Sequence, residues 1–264
     1  MNGTVMTIIG FSILFVMTTA GSALVYIFKS NSPKATTLFL GFASGIMISA
    51  SVWSLLIPSI DQAKEIMGEN LAFLPAVIGF ILGGLFLVLL DKIVPHFHSA
   101  TGEEEGIKTS MSKPMKMLLA VTLHNIPEGL AVGFAFGAAS TTGDPTAYVS
   151  ALGLAIGIGL QNFPEGAAVS LPMHSSLGSK HKAFACGAFS GIVEPVFAVV
   201  GFFLASALTI AQPWLLALSA GAMVFVVVED LIPEAHFGDH PHLGTWGIMI
   251  GFAVMMVLDV ALAF

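Results

Sequence analysis

His124-Asn125-Ile126-Pro127-Glu128-Gly129 returns 37 residues later as Gln161-Asn162-Phe163-Pro164-Glu165-Gly166. Each copy lies inside a long apolar run. Imidazole, amide and carboxylate are ligand types for a metal ion. In each copy the first and fifth residues are four apart and share one helical face, so His124 stands over Glu128 and Gln161 over Glu165. Pro127 and Pro164 donate no backbone hydrogen bond, which leaves the carbonyls of Leu123 and Leu160 as candidate ligands or water contacts. The pattern points to a metal site at the depth of a bilayer core, where irregular backbone is tolerated if it lines a cavity or is buried in protein.

The elements that position these residues follow from composition. The chain is 56% hydrophobic and 9% charged, with a mean hydropathy of +0.91, whereas an ordinary soluble domain is about 25% charged. It is an integral membrane protein of the all-α class. No arginine and nine lysines argue against a nucleic-acid partner. The single cysteine, Cys186, excludes an intramolecular disulfide framework.

Eight apolar runs are long enough to cross about 30 Å of hydrocarbon as helices of roughly 20 residues. They lie near 4–28, 36–58, 70–91, 114–138, 146–171, 183–209, 213–232 and 244–264. A barrel would instead show alternating segments of about 10 residues. The first run has no lysine before Lys29 and exceeds the usual signal-peptide core of about 7 to 15 residues, so it is read as a span. The motif copies fall in spans 4 and 5, which a short loop near 140–146 joins as antiparallel neighbours. Residues 99–113, with Glu103-Glu104-Glu105, read as a mobile polar loop whose acids either face solvent or capture metal. The whole chain, 1–264, reads as one transmembrane domain.

If the N-terminus is outside, Lys29, Lys34, Lys92, Lys108, Lys113, Lys116, Lys180 and Lys182 face the cytoplasm and only Lys64 does not. That is a positive-inside distribution, with both termini outside and the protein in the plasma (inner) membrane.

A carboxylate at the bilayer centre costs about 2.5 to 3.5 kcal/mol on insertion scales. Glu128, Glu165 and Glu194 lie well inside spans, and no lysine lies mid-span to offset them. A cation or a proton is the available partner, and His124 favours a metal. A proline–glycine kink would explain Pro127 and Gly129 but neither motif glutamate. Asp91, His96 and His98 at the inner end of span 3, with Glu229, Asp230, Glu234 and His236 at the inner end of span 7, either relay metal inward or simply face water. Asp259, inside span 8, has no partner that the sequence identifies. An intramembrane metallohydrolase would want His-Glu-x-x-His, and the chain has none.

The doubled motif in spans 4 and 5 of eight resembles the ZIP (Zrt/Irt-like) divalent-metal transporters, and among them the compact bacterial GufA-like members. The resemblance implies a 3+2+3 architecture in which spans 1–3 and 6–8 are inverted repeats around spans 4–5. It implies a first metal site of His124, Glu128, Gln161 and Glu165, and a second of Asn125, Glu128, Asn162, Glu165 and Glu194. The neutral Asn162, where some members carry an acid, lowers the charge of the second site. The exit path would be the inner cluster named above, and the entrance Ser54 and Asp61. The implied activity is transport, not catalysis. The cargo is divalent metal taken into the cytoplasm, Zn²⁺ first and Fe²⁺, Mn²⁺, Co²⁺ or Cd²⁺ as further candidates, by an elevator-like alternating-access step. No cofactor is implied beyond the cargo, and the partners are the lipid bilayer and a second copy in a homodimer. One nitrogen among oxygen ligands, without thiolate, suits a borderline ion that must also leave.

Overall fold

The computed structural model describes residues 2–27, 33–94, 96–97, 104–105, 109–111, 113–236 and 241–262. The described chain is helical apart from one two-residue ladder. Span 1 is α1 (Gly3–Ser22), ending in a 3₁₀ turn at Ala23–Tyr26. Span 2 is α2 (Pro33–Ala50), a π turn (Ser51–Leu56) and α3 (Ile57–Met67). Span 3 is α4 (Phe73–Ile93), span 4 is α5 (Lys113–Thr142) and span 5 is α6 (Pro145–Leu177). Span 6 is α7 (Lys180–Ser190) and α8 (Val193–Ala207), broken at Gly191 and Ile192. Span 7 is α9 (Gln212–Val226), a π turn (Val227–Leu231) and α10 (Ile232–His236), and span 8 is α11 (Pro241–Leu262). Seven helical stretches among the described residues meet the length and hydropathy of a membrane span. The 30-residue α5, which carries the first motif, makes the eighth.

Several elements run further than the hydrophobic pattern indicates. Span 2 continues to Met67 and span 5 to Leu177, because a helix persists past the apolar belt until a residue stops it. At the end of α6 that residue is Gly178, whose φ of 63° only glycine adopts without strain. The connection between α5 and α6 shrinks to Gly143 and Asp144. Gly143 turns the chain at φ 68°, and the Asp144 carboxylate caps Thr146 N at 3.0 Å ahead of Pro145. Both motif helices pass through their prolines unbroken. The Pro127 carbonyl accepts a hydrogen bond from Ser219 Oγ of α9 at 3.2 Å. Most of the polar linker falls outside the described residues. Within it, Glu104–Glu105 (β2) pairs antiparallel with His96–Phe97 (β1), His96 opposite Glu105, so that part is pinned against the end of span 3 rather than loose.

Four helix pairs dominate the packing: α1 with α6, α5 with α8, α2 with α11 and α4 with α9. Exchanging span 1 with 6, 2 with 7, 3 with 8 and 4 with 5 maps this set onto itself. Spans 1 and 6 are separated by an odd number of crossings, so they run in opposite directions and the repeat is inverted.

The correspondence holds at single residues. Gly79 and Gly83 of α4 lie against the carbonyls of Trp214 and Leu218, and Gly247 and Gly251 of α11 lie against those of Leu38 and Phe42. Gly45 faces the Ile248 carbonyl as Gly221 faces that of Phe80. In the motif helices, Gly129 faces the Glu194 carbonyl as Gly166 faces that of Thr18. Without a hydrophobic driving force between helices in lipid, such close seats hold the pairs by packing. Leu-Ile-Pro at 56–58 recurs at 231–233, each copy at the end of a π turn, and Leu90-Asp91 recurs as Leu258-Asp259.

A candidate metal centre

Spans 1, 4, 5 and 6 surround the polar centre. From α5 come His124, Asn125 and Glu128, from α6 Gln161, Asn162 and Glu165, and from α8 Glu194. Asn125, Glu128, Gln161, Asn162 and Glu194 are fully buried, and Glu165 nearly so. Glu194 sits in the first turn of α8, directly after the break in span 6. There the unpaired N–H groups of a helix start favour a carboxylate. The three glutamates lie within electrostatic reach of one another.

Their hydrogen bonding divides the centre in two. Glu194 is held by neutral donors: Thr18 Oγ1 at 3.1 Å and Asn125 Nδ2 at 3.1 Å donate to its Oε1, and Asn162 Nδ2 donates to its Oε2. Six further oxygens have no protein donor. Asn125 Oδ1, both carboxylate oxygens of Glu128, Gln161 Oε1, Asn162 Oδ1 and Glu165 Oε2 are buried without a hydrogen bond. The Gln161 amide lies beside Glu128 but outside hydrogen-bond geometry. Leaving a buried polar group unpaired costs about 1 to 3 kcal/mol each, more if charged. Six such oxygens in two adjacent helix turns form a donor set for a cation. Among the described residues no three His, Cys, Asp or Glu side chains converge closely enough to hold an ion alone. An ion placed there would meet the motif amides beside the carboxylates.

His124 is bonded outside that set, with Glu165 within its electrostatic reach. Its Nε2 lies 3.2 Å from Asp230 Oδ2 in the span 7 π turn, and the two side chains are 14% and 19% exposed. Asp91 of span 3 also lies within electrostatic reach of His124. Of the inner residues singled out from sequence, Asp91 and Asp230 are thus brought to the centre. Glu229 is exposed on the opposite face of the turn, and Glu234 is half-buried on α10. His98 lies outside the described residues, and of His96 and His236 only the backbone is described.

On the opposite side, Ser54 and Asp61 line a cavity of about 550 Å³ with Gln62, Glu65, Asp144 and Asp259. Ser54 Oγ donates to Asp259 Oδ1, the partner that the sequence alone does not supply. Asp61 pairs with exposed Lys64 at 2.7 Å. The cavity ends on Ala135, Leu154 and Leu216. Leu154 and Ile158 are fully buried. Gln161 follows Leu154 by two helical turns, about 10 Å. Packed apolar side chains close this side, while the exposed edge of the centre, at His124 and Asp230, faces the side of Lys92 and Lys180.

Thr18 is the residue that sequence reasoning missed, and the pairing of Ser54 with Asp259 is the contact it missed. The Leu-Asp and Leu-Ile-Pro recurrences mark both residues as parts of repeated segments without pairing them. Thr18 has no such signal, because a threonine in an apolar span ordinarily bonds its own helix.

Fold and centre together define a polytopic helical membrane protein built around a buried, acid-rich polar core. A family model described as ZIP Zinc transporter matches residues 98–259. The chain is 35% identical to the protein named Zinc transporter ZIP11 of Homo sapiens over 322 aligned positions, which take in 93% of this chain and 94% of that one. It is 36% identical to Zinc transporter ZIPB of Bordetella bronchiseptica over 260 positions, 96% of this chain and 82% of that one. It is 35% identical to Zinc transporter GufA of Myxococcus xanthus over 244 positions, 92% and 93% of the two chains. The chain belongs to the ZIP family.

Proposed function

We propose that this protein carries divalent metal, zinc foremost, across the plasma membrane toward the lysine-bearing side, which is the cytoplasm, with both termini outside. The six unpaired buried oxygens of the doubled motif carry this reading, and the names of the relatives agree with it. The whole chain acts as one transporter domain, with a homodimer as its expected assembly. His124, Glu128, Gln161 and Glu165 are the primary ligands. Asn125, Asn162 and Glu194 complete a second position that shares Glu128 and Glu165. With Nε2 on Asp230, His124 ligates through Nδ1, and Asp230 and Asp91 are the first groups to receive an ion leaving inward. Fe²⁺, Mn²⁺, Co²⁺ and Cd²⁺ suit the same donors.

Spans 1, 4, 5 and 6 hold the ligands, and spans 2, 3, 7 and 8 form the surround. Displacement of the first set against the second would expose the centre to the outer cavity in place of the inner side, as alternating access requires. Purified protein in liposomes loaded with a fluorescent metal indicator tests the reading. Zinc added outside should enter, and Glu128→Ala and Glu165→Ala should abolish entry. Undiminished flux in both variants sinks the pathway.

A further inference from the structure

Thr18 is buried in α1, and its hydroxyl meets two acceptors, Glu194 Oε1 at 3.1 Å and the Leu14 carbonyl at 3.0 Å. A hydroxyl carries one hydrogen, so it serves one of them at a time. Thr7 and Ser12 of the same helix make only the local bond, to Gly3 O and Ile8 O. Thr18 differs in reaching a buried carboxylate. Its position is fixed from both sides, by Gly166 against its carbonyl and by Gly191 against its side chain. In the inverted repeat Thr18 is the counterpart of Glu194 itself, so the two equivalent positions touch across the centre.

The other donors to Glu194 share this property. Asn125 Nδ2 also reaches the Ser190 carbonyl at 3.2 Å, and Asn162 Nδ2 the Leu14 carbonyl at 3.4 Å. Each donor therefore keeps a backbone acceptor if Glu194 departs. An orphaned donor would otherwise raise the cost of releasing the carboxylate.

We infer that Thr18 is a positioning residue for metal transport: its hydroxyl tethers Glu194 while no ion occupies the second position, and turns to the Leu14 carbonyl when Glu194 turns to an ion. The tether competes with the cation for one carboxylate. It therefore weakens ion binding and speeds release, which a carrier needs. The inference rests on the transport reading above, and the variants separate the two.

Thr18→Val removes the hydroxyl at nearly constant volume. In zinc flux into liposomes, KM and kcat should both fall, each about tenfold for the loss of one charge-assisted hydrogen bond, leaving kcat/KM near that of the unaltered protein. Thr18→Ser should restore both. A purely structural role would lower kcat without lowering KM. Calorimetric zinc affinity of the solubilised protein should tighten by the same factor in Thr18→Val, and the gain should vanish when Glu194→Gln is also present. Thr18→Ala serves the same cycle if the valine variant is not recovered. An unchanged KM, or an affinity gain that persists beside Glu194→Gln, overturns the tether. Absence of zinc flux in the unaltered protein overturns the transport reading instead, and the calorimetric cycle still decides the tether.

Discussion

The imidazole of His124 and the carboxylate of Asp230 are 3.2 Å apart, so the histidine of the first motif is bound to the span 7 π turn rather than to the glutamate one turn along its own helix. In the transport reading proposed above, Asp230 on Nε2 would orient the imidazole so that Nδ1 is free to meet an ion held by Glu128 and Glu165. Groups that orient a ligating histidine are worth about 10- to 100-fold in affinity or activity. Asp230→Asn should lower zinc flux at least about tenfold by that measure, with the protein still folded. Stopped-flow uptake at saturating zinc checks it, and an unchanged rate would remove Asp230 from the path.

Glu128 bears two buried oxygens without a donor, which costs the metal-free protein stability. Glu128→Met removes both unpaired oxygens at similar volume. The metal-free variant, in chelator, should be more stable by about 1 to 3 kcal/mol, which raises Tm by several degrees at about 2 to 4 °C per kcal/mol. Zinc at 100 times Kd should stabilise the unaltered protein by about 2.7 kcal/mol and the variant far less. Thermal melts with and without zinc read both effects.

How much was legible in the sequence follows from how local each signal is. The doubled motif and eight apolar runs needed only neighbours in the chain, and the mid-span glutamates called for a cation or a proton because no lysine lies mid-span. The partner of Asp259 and the role of Thr18 are tertiary facts, fixed by helix pairs far apart in sequence. The π turns at Ser51–Leu56 and Val227–Leu231 arise from local winding that leaves no mark in composition. Helix ends such as Met67 and Leu177 lie beyond the apolar belt, where hydropathy stops reporting.

Close helix seats make a ligand-free prediction. A Cβ at Gly129 would stand 2.4 Å from the Glu194 carbonyl oxygen, and one at Gly166 2.1 Å from that of Thr18. Gly129→Ala and Gly166→Ala should each cost about 1 to 3 kcal/mol by overpacking and disable flux although every ligand remains. At Gly84 a Cβ meets only the Phe225 ring at 3.6 Å, so Gly84→Ala should stay within about 0.5 kcal/mol. Melting in detergent distinguishes them, and equal melting points would refute the packing account.

The cavity beside Ser54 carries Asp61, Glu65, Asp144 and Asp259. Such a field raises the local cation concentration and is screened by salt. Combining Asp61→Asn, Glu65→Gln and Asp144→Asn should slow uptake about tenfold at low ionic strength and subsaturating zinc, with the two proteins converging at high salt. Asparagine at 144 preserves the cap on α6. A salt-independent defect would point away from this field.

In the alternating access proposed above, the seats at Gly129 and Gly166 lie within the displaced set of spans and those at Gly45 and Gly221 within the surround, so both would carry over unchanged. Much of the packing energy of the two end states therefore cancels. What remains is written in the few positions that break the equivalence of the two halves: His124 against Gln161, Glu194 against Thr18, and Glu229 against Ser54. A carrier of this design would set its resting orientation, and the cost of reversing it, by point chemistry at those pairs, leaving the scaffold free to be nearly indifferent to direction.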